Sequence, residues 1–149
     1  MALLVAMPGI GFITAVTILS EIGDPTRFKK PKHLIAFFGL DPSVNESSKF
    51  KGDRNKMSKR GTRYGRRALY AIALASVRKS KAGKPVNSIL YKYRKENLNG
   101  KKNKVPLGAI MHKIVNYIFA VLRDKRPYEE RNPQLHEQMF LNNVNKKTA

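Results

Sequence analysis

Cysteine and tryptophan are absent from this 149-residue chain, and acids are scarce, with 10 Asp and Glu against 30 Lys and Arg. Without cysteine there is neither a disulfide framework nor a thiolate metal site, a composition that fits the cytoplasm. The three histidines, His33, His112 and His136, are scattered without ligand spacing, which argues against zinc. Asp24, Asp41, Asp53 and Asp124 form no recognisable cluster for a divalent cation. Metal-dependent phosphoryl chemistry would therefore need ligands from another chain or domain. No unbroken apolar run reaches the roughly 18 residues of a spanning helix. Residues 1–7 (MALLVAM) are apolar but lack a charged n-region and are short for a signal peptide.

What remains is positive charge, +20 in all. Such an imbalance points first to nucleic acid and second to an anionic membrane surface, and nothing else in the chain favours the membrane. The length suffices for one domain with a real core.

The periodicity predicts a mostly α-helical domain of about five helices. After the turn Pro8-Gly9-Ile10-Gly11, the residues Ala15, Ile18, Leu19 and Ile22 recur at helical spacing until Gly23-Asp24-Pro25 stops them. A short helix runs from Pro31 to Phe38 with Gly39 as its cap. A third spans residues 63–79, with Leu69, Ile72, Ala73 and Ser76 on one face and Tyr70, Leu74 and Val77 widening it. A fourth spans 86–97. The strongest spans 105–123, with Met111, Val115, Ile118 and Leu122 on one stripe and Ile110, Ile114 and Val121 beside it. These two stripes are expected to meet. One more short helix is expected near 135–141. Strand alternation is missing, apart from room for a small β-hairpin within residues 44–57. Residues 1–126 read as the domain and 127–149 as a partly disordered extension. Only residues 1–7 precede the first turn, as if a first helix were cut short and more protein belonged before it.

Two segments carry candidate chemistry. The turn around Gly9 and Gly11 resembles half of a helix-hairpin-helix, in which glycines permit a tight turn and helix-start N–H groups face a phosphate without reading sequence. An ordinary helix–helix turn built from small residues has the same signature. The second segment is a basic loop running into a basic helix, with Lys49, Lys51, Arg54, Lys56, Lys59, Arg60, Arg63, Arg66 and Arg67. Few acids neutralise it, which favours phosphate contact over a merely solvated face. Lys29, Lys30, Lys32 and Lys101, Lys102, Lys104 are further basic clusters. Tyr64, Tyr70, Tyr91 and Tyr93 fall on helices and read as core or edge residues rather than base-stacking platforms.

Ser47 and Ser48 lie inside the charged loop. A serine hydroxyl becomes a nucleophile only when something takes its proton or stabilises the developing charge, and neighbouring Lys and Arg groups can do the latter. Loop serines are far more often turn residues. That reading is stronger for Ser43, in the turn Asp41-Pro42-Ser43, and for Ser58, which is placed to cap the helix that follows.

Several blocks occur in an order that resembles a known family. They are Met7-Pro8-Gly9-Ile10-Gly11, Thr14-Ala15 and Glu21-Ile22-Gly23-Asp24; then Arg27-Phe28, Leu34 and Phe38-Gly39-Leu40-Asp41-Pro42-Ser43; then Ser58-Lys59-Arg60-Gly61 and Arg66-Arg67-Ala68-Leu69-Tyr70. Over residues 6 to 124 the chain resembles the C-terminal domain of the insertion-sequence 110/116/902 transposases. The resemblance implies a DNA recombinase that attacks a DNA phosphate with a serine and forms a transient protein–DNA phosphodiester. It implies a structured guide RNA, a homo-oligomer, and Mg2+ held by acidic ligands of an N-terminal RuvC-like domain, which is absent from this chain. The family's Ser-Gly-Lys-like step falls on Ser47-Ser48-Lys49, making Ser47 the expected nucleophile and Ser48 the runner-up. Without the metal domain, the chain is expected to bind nucleic acid and not to cleave it alone. The alternatives are a non-catalytic nucleic-acid-binding module, a truncated transposase remnant, or a basic RNA-packaging or ribosome-associated protein.

Overall fold

The computed structural model describes residues 2–43, 46–47, 50–51, 57–101 and 104–130. Among these residues six α-helices follow one another: α1 (Ala2–Val5), α2 (Phe12–Ile22), α3 (Pro31–Phe37), α4 (Arg63–Ser76), α5 (Ser88–Asn97) and α6 (Lys104–Asp124). A 3-10 turn, Pro25–Arg27, follows α2. Between α3 and α4 lies an antiparallel hairpin of β1 (Glu46–Ser47) and β2 (Phe50–Lys51), within the span expected for one. The expected helix near 135–141 lies outside the described residues.

The ends of the helices follow local chemistry. Gly23 closes α2 with φ +62, and Asp24 caps the 3-10 turn by accepting from the Thr26 N–H at 2.9 Å. Pro31 opens α3. Gly39, at φ +64, closes it in a Schellman motif: the Leu40 N–H donates to Ile35 O and the Gly39 N–H to Ala36 O. Thr62 caps α4, accepting from Gly65 N, and Asn87 caps α5, accepting from Leu90 N. Ser58 is not the cap of α4. Its hydroxyl is committed to Asp41 instead.

α6 is the axis of the core. Ile110, Ile114, Val115 and Ile118 are fully buried, and the helix packs against α1, α3, α4, α5 and the 3-10 turn. Met111 is buried with them, while Leu122 is half-buried at the margin. By length and composition α6 is apolar enough to cross a membrane, which a search for unbroken apolar runs passes over because His112 and Lys113 interrupt it. Its apolarity is explained by its burial among the other helices. Opposite it, α4 presents Leu69, Ile72, Ala73 and Ser76, as the periodicity required. Leu74 and Tyr70 instead face solvent, at 44% and 41% exposure. They stand about 200° around the helix from Ile72 and Ala68 respectively, so the inward face is narrower than expected. Tyr64 is exposed as well, whereas Tyr91 and Tyr93 are half-buried.

Beyond α6, the chain to residue 130 folds back. The Tyr128 ring packs on Tyr117 with centroids 5.4 Å apart, and Ser88 donates to Glu130. Burial pushes both phenols above their ordinary pKa.

Because Ile118 has no exposed surface, Ile118→Ala should destabilise the fold by about 2–5 kcal/mol, through reduced burial and the cavity left behind. Chemical denaturation checks this, and an unchanged midpoint would show that the core was assigned to the wrong face.

Candidate functional site

The basic loop leaves the fold through a narrow neck. Its two arms are residues 39–43 and 57–61, the very blocks Gly39-Leu40-Asp41-Pro42-Ser43 and Ser58-Lys59-Arg60-Gly61. The arms are stitched by backbone bonds from Ser58 N to Asp41 O (2.8 Å) and from Lys59 N to Gly39 O (3.0 Å), with a bridge between Pro42 and Met57. The Ser58 hydroxyl donates to Asp41 Oδ1 at 2.6 Å. At the base the two backbones touch. A Cβ on Gly39 would lie 2.5 Å from Gly61 N, and one on Gly61 would collide with the Phe37 carbonyl oxygen. Below, Gly65 of α4 sits on the Phe38 ring, and His112 Nε2 of α6 lies 2.9 Å from Leu40 O. The neck is thus anchored to α3, α4 and α6 at once.

Ser47 lies on β1 opposite Phe50, and Lys51 on β2 opposite Glu46. Ser48, Lys49, Arg54 and Lys56 lie outside the described residues. Lys59 and Arg60 are exposed at the neck, and Lys59 has φ 56, a left-handed conformation uncommon for a side-chain-bearing residue. Arg63 and Arg67 are exposed on α4. The Arg63 guanidinium lies over the Tyr64 ring, 5.0 Å from its centroid. Arg66 differs from them. One of its nitrogens donates to both Phe38 O (3.1 Å) and Gly61 O (2.6 Å), so it ties α4 to the neck.

The other candidate segment lies elsewhere. Gly9, at φ +101, packs against Ser76 at the C-terminal end of α4, whose hydroxyl donates to Pro8 O at 3.3 Å. A Cβ on Gly9 would collide with that hydroxyl, so packing alone accounts for the glycine. The Gly11 N–H donates to Thr14 Oγ1 at 3.1 Å, within the start of α2. The two segments therefore sit at opposite ends of α4. Its 14 residues separate them by about 20 Å at 1.5 Å per residue.

Sequence reasoning missed the Asp41–Ser58 bond, across 17 residues, and the Arg66 tether, which reaches Phe38, 28 residues earlier, as well as the nearby Gly61. It also missed that Ile13 is 78% exposed, although Ile13 shares the outward stripe of α2 with Thr17 and Ser20. Among the described residues, no group of three or more His, Asp or Glu side chains could hold a metal ion.

Ser58→Ala removes a hydrogen bond to a carboxylate and should cost about 1–3 kcal/mol. If Ser58 acted as a helix cap, the loss would appear as fraying of α4. As a neck residue, it should instead accelerate hydrogen exchange at the Ser58 and Lys59 amides.

The neck, the hairpin and α4 fall within residues 1–87, which match the Transposase IS116/IS110/IS902 family. The chain belongs to this family. It is similar to the insertion element IS110 uncharacterized 43.6 kDa protein of Streptomyces coelicolor, at 30% identity over 131 residues, covering 87% of this chain and 30% of that protein. It is also similar to the pilin gene-inverting protein of Moraxella bovis, at 31% identity over 138 residues, covering 91% of this chain and 40% of that one. The insertion element IS900 uncharacterized 42 kDa protein of Mycobacterium paratuberculosis is 28% identical over 130 residues, covering 85% of this chain and 30% of that protein. The chain thus spans between 30% and 40% of these relatives' lengths.

Proposed function

We propose that this chain is the part of an insertion-element transposase that grips DNA and presents a serine to a strand phosphate. The observation that carries the reading is the neck. It closes a strongly basic loop at its base, with Ser47 paired to Phe50 on the hairpin between its arms and with Lys59, Arg60 and Arg63 exposed beside it.

In the proposed step the Ser47 hydroxyl attacks phosphorus. The Oγ–P bond forms as the bond from phosphorus to the leaving strand oxygen breaks. The serine proton passes to a base and the leaving oxygen takes up a proton, so one phosphodiester is exchanged for another and the step can be reversed to join strands. Lys49, Lys51, Arg54, Lys59 and Arg60 hold the phosphate and offset the charge developing on it. Ser48 is the runner-up nucleophile. The turn at Gly9 and Gly11 adds a helix-hairpin-helix-like backbone contact, and Lys56, Arg63, Arg66 and Arg67 extend the basic surface. The proposal places the Mg2+ that would neutralise charge at the phosphate on acidic ligands of another domain of the transposase. A structured guide RNA and assembly into a homo-oligomer complete the proposal.

A second reading is a binding module without chemistry of its own, which the net charge of +20 supports equally. Both readings predict binding. Titrating duplex DNA with the 149-residue chain at 50–200 mM salt should give a log–log slope of about −5 or steeper, at −0.9 per phosphate neutralised. Adding magnesium to the chain alone should produce no cleavage. Absent or salt-insensitive binding would end the nucleic-acid reading, and efficient cleavage would show that no further domain is needed.

A further inference from the structure

The solvent face of α4 connects the two ends of the molecule. Arg63, Arg67, Tyr70 and Leu74 follow at i, i+4, i+7 and i+11 and are exposed, and Arg78, also exposed, lies two residues past the end of α4. They form one stripe that begins at the loop neck and ends beside the Gly9–Gly11 turn. Its middle is uncharged, at Tyr70, Ala71 and Leu74.

At the far end stands a second basic element. Residues 78–86 fold into a tight hairpin, closed by Val86 N to Arg78 O (3.0 Å), Ser80 N to Lys84 O (2.7 Å) and Gly83 N to Ser80 O (2.9 Å). Gly83 supplies the left-handed turn at φ +76. This hairpin carries Arg78, Lys79, Lys81 and Lys84, all exposed. The ion pairs among the described residues, Lys92–Glu96 and Arg123–Asp124, involve none of them. A shallow groove of about 570 Å³ separates the hairpin from the start of α2, with Ala71 and Ala75 along its floor and Arg78 on its wall. Phe12 and Ile13, 65% and 78% exposed, stand on the opposite lip.

We propose that the outer face of α4 is a continuous seat for one DNA duplex, with the 78–86 hairpin as a second phosphate clamp about 20 Å from the loop. The inference rests on the proposed DNA-binding function. Charge complementarity selects the occupant. Cations at both ends, separated by an uncharged stretch, suit the two phosphate backbones that flank a groove on one face of a duplex, the major groove being about 12 Å wide between them. The hairpin is already ordered by its own backbone bonds, so its cations meet phosphate without a large ordering cost. Phe12 and Ile13 add apolar contact with sugars at the rim, a contribution that does not depend on salt.

The test compares four variants of the full chain with the parent on a 16-base-pair duplex, with thermal melting confirming that each is folded. The variant R78Q/K79Q/K81Q/K84Q should reduce the log–log salt slope by about 2–4, and K59Q/R60Q/R63Q should reduce it independently, at about 0.9 for each phosphate no longer neutralised. Leu74→Glu, an exposed position set between the clamps, should weaken binding at least tenfold. Phe12→Ser with Ile13→Ser in one chain should weaken binding with the slope unchanged. If the parent binds DNA steeply and only the neck variant changes the slope, the second clamp is wrong and the DNA-binding reading stands. If the parent binds no duplex at all, both fail. Arg78-dependent binding to phosphatidylserine vesicles without binding to duplex DNA would overturn the proposal in favour of a membrane surface.

Discussion

Replacing Ser47 with alanine should abolish the covalent protein–DNA adduct while leaving duplex affinity within about twofold, because affinity comes from the cations. The setting for this measurement is the complete transposase, including the proposed metal-binding domain. Removing the hydroxyl removes the only atom that can form the Oγ–P bond, and the Lys and Arg groups that stabilise charge cannot replace it. Ser47 lies on a short strand paired with Phe50, where alanine is compatible with the backbone, so the loss should be chemical rather than structural. Ser48→Ala should keep the adduct. An adduct that survives in Ser47→Ala and disappears in Ser48→Ala would move the role by one residue.

Gly61→Ala should be the most damaging added methyl among the described glycines. The added Cβ would overlap the Phe37 carbonyl oxygen and lie 2.6 Å from Gly39 N, and neither atom belongs to a side chain that can turn away. Relief requires opening the neck, which breaks the Lys59–Gly39 backbone bond and draws Arg66 off the Gly61 carbonyl. Backbone collisions of this kind belong to the severe class of single substitutions, so about 3–5 kcal/mol is expected, a fall in Tm on the order of 10 °C. Gly23→Ala is the control. Gly23 has φ +62 but nothing within 4 Å of its would-be Cβ, so only the backbone preference is lost, at about 1 kcal/mol. Equal melting of the two variants would show that the close crossing at the neck does not exist in solution.

The helices were largely legible because their determinants are local. Pro31 and Gly39 bracket α3, Gly23 ends α2, and the stripes of α4 and α6 repeat every three to four residues. Leu74 was misplaced because a widened stripe on a short helix reaches its opposite face, and only the partner helix decides how much of it is covered. Ser58 was misread as a cap because residues 58–62 offer two hydroxyls before α4. The choice between Ser58 and Thr62 depends on Asp41, 17 residues earlier, which claims the first. The distribution of the candidate site was not legible either. The Gly9 turn and the basic loop look like parts of one surface in sequence, yet Gly9 packs on Ser76 while the loop neck packs on Gly65 and Arg66. Nothing local encodes which end of α4 each segment meets. The basic hairpin at 78–86 was not legible, because a run such as Lys81-Ala82-Gly83-Lys84-Pro85 signals a turn without revealing what lies beside it.

Mass spectrometry of the DNA adduct, trapped from the complete transposase and digested with nuclease and protease, tests the central claim most directly. A nucleotide remnant esterified to Ser47 is the predicted result. A remnant on any other residue, or cleaved DNA with no protein attached at any time, would contradict the account.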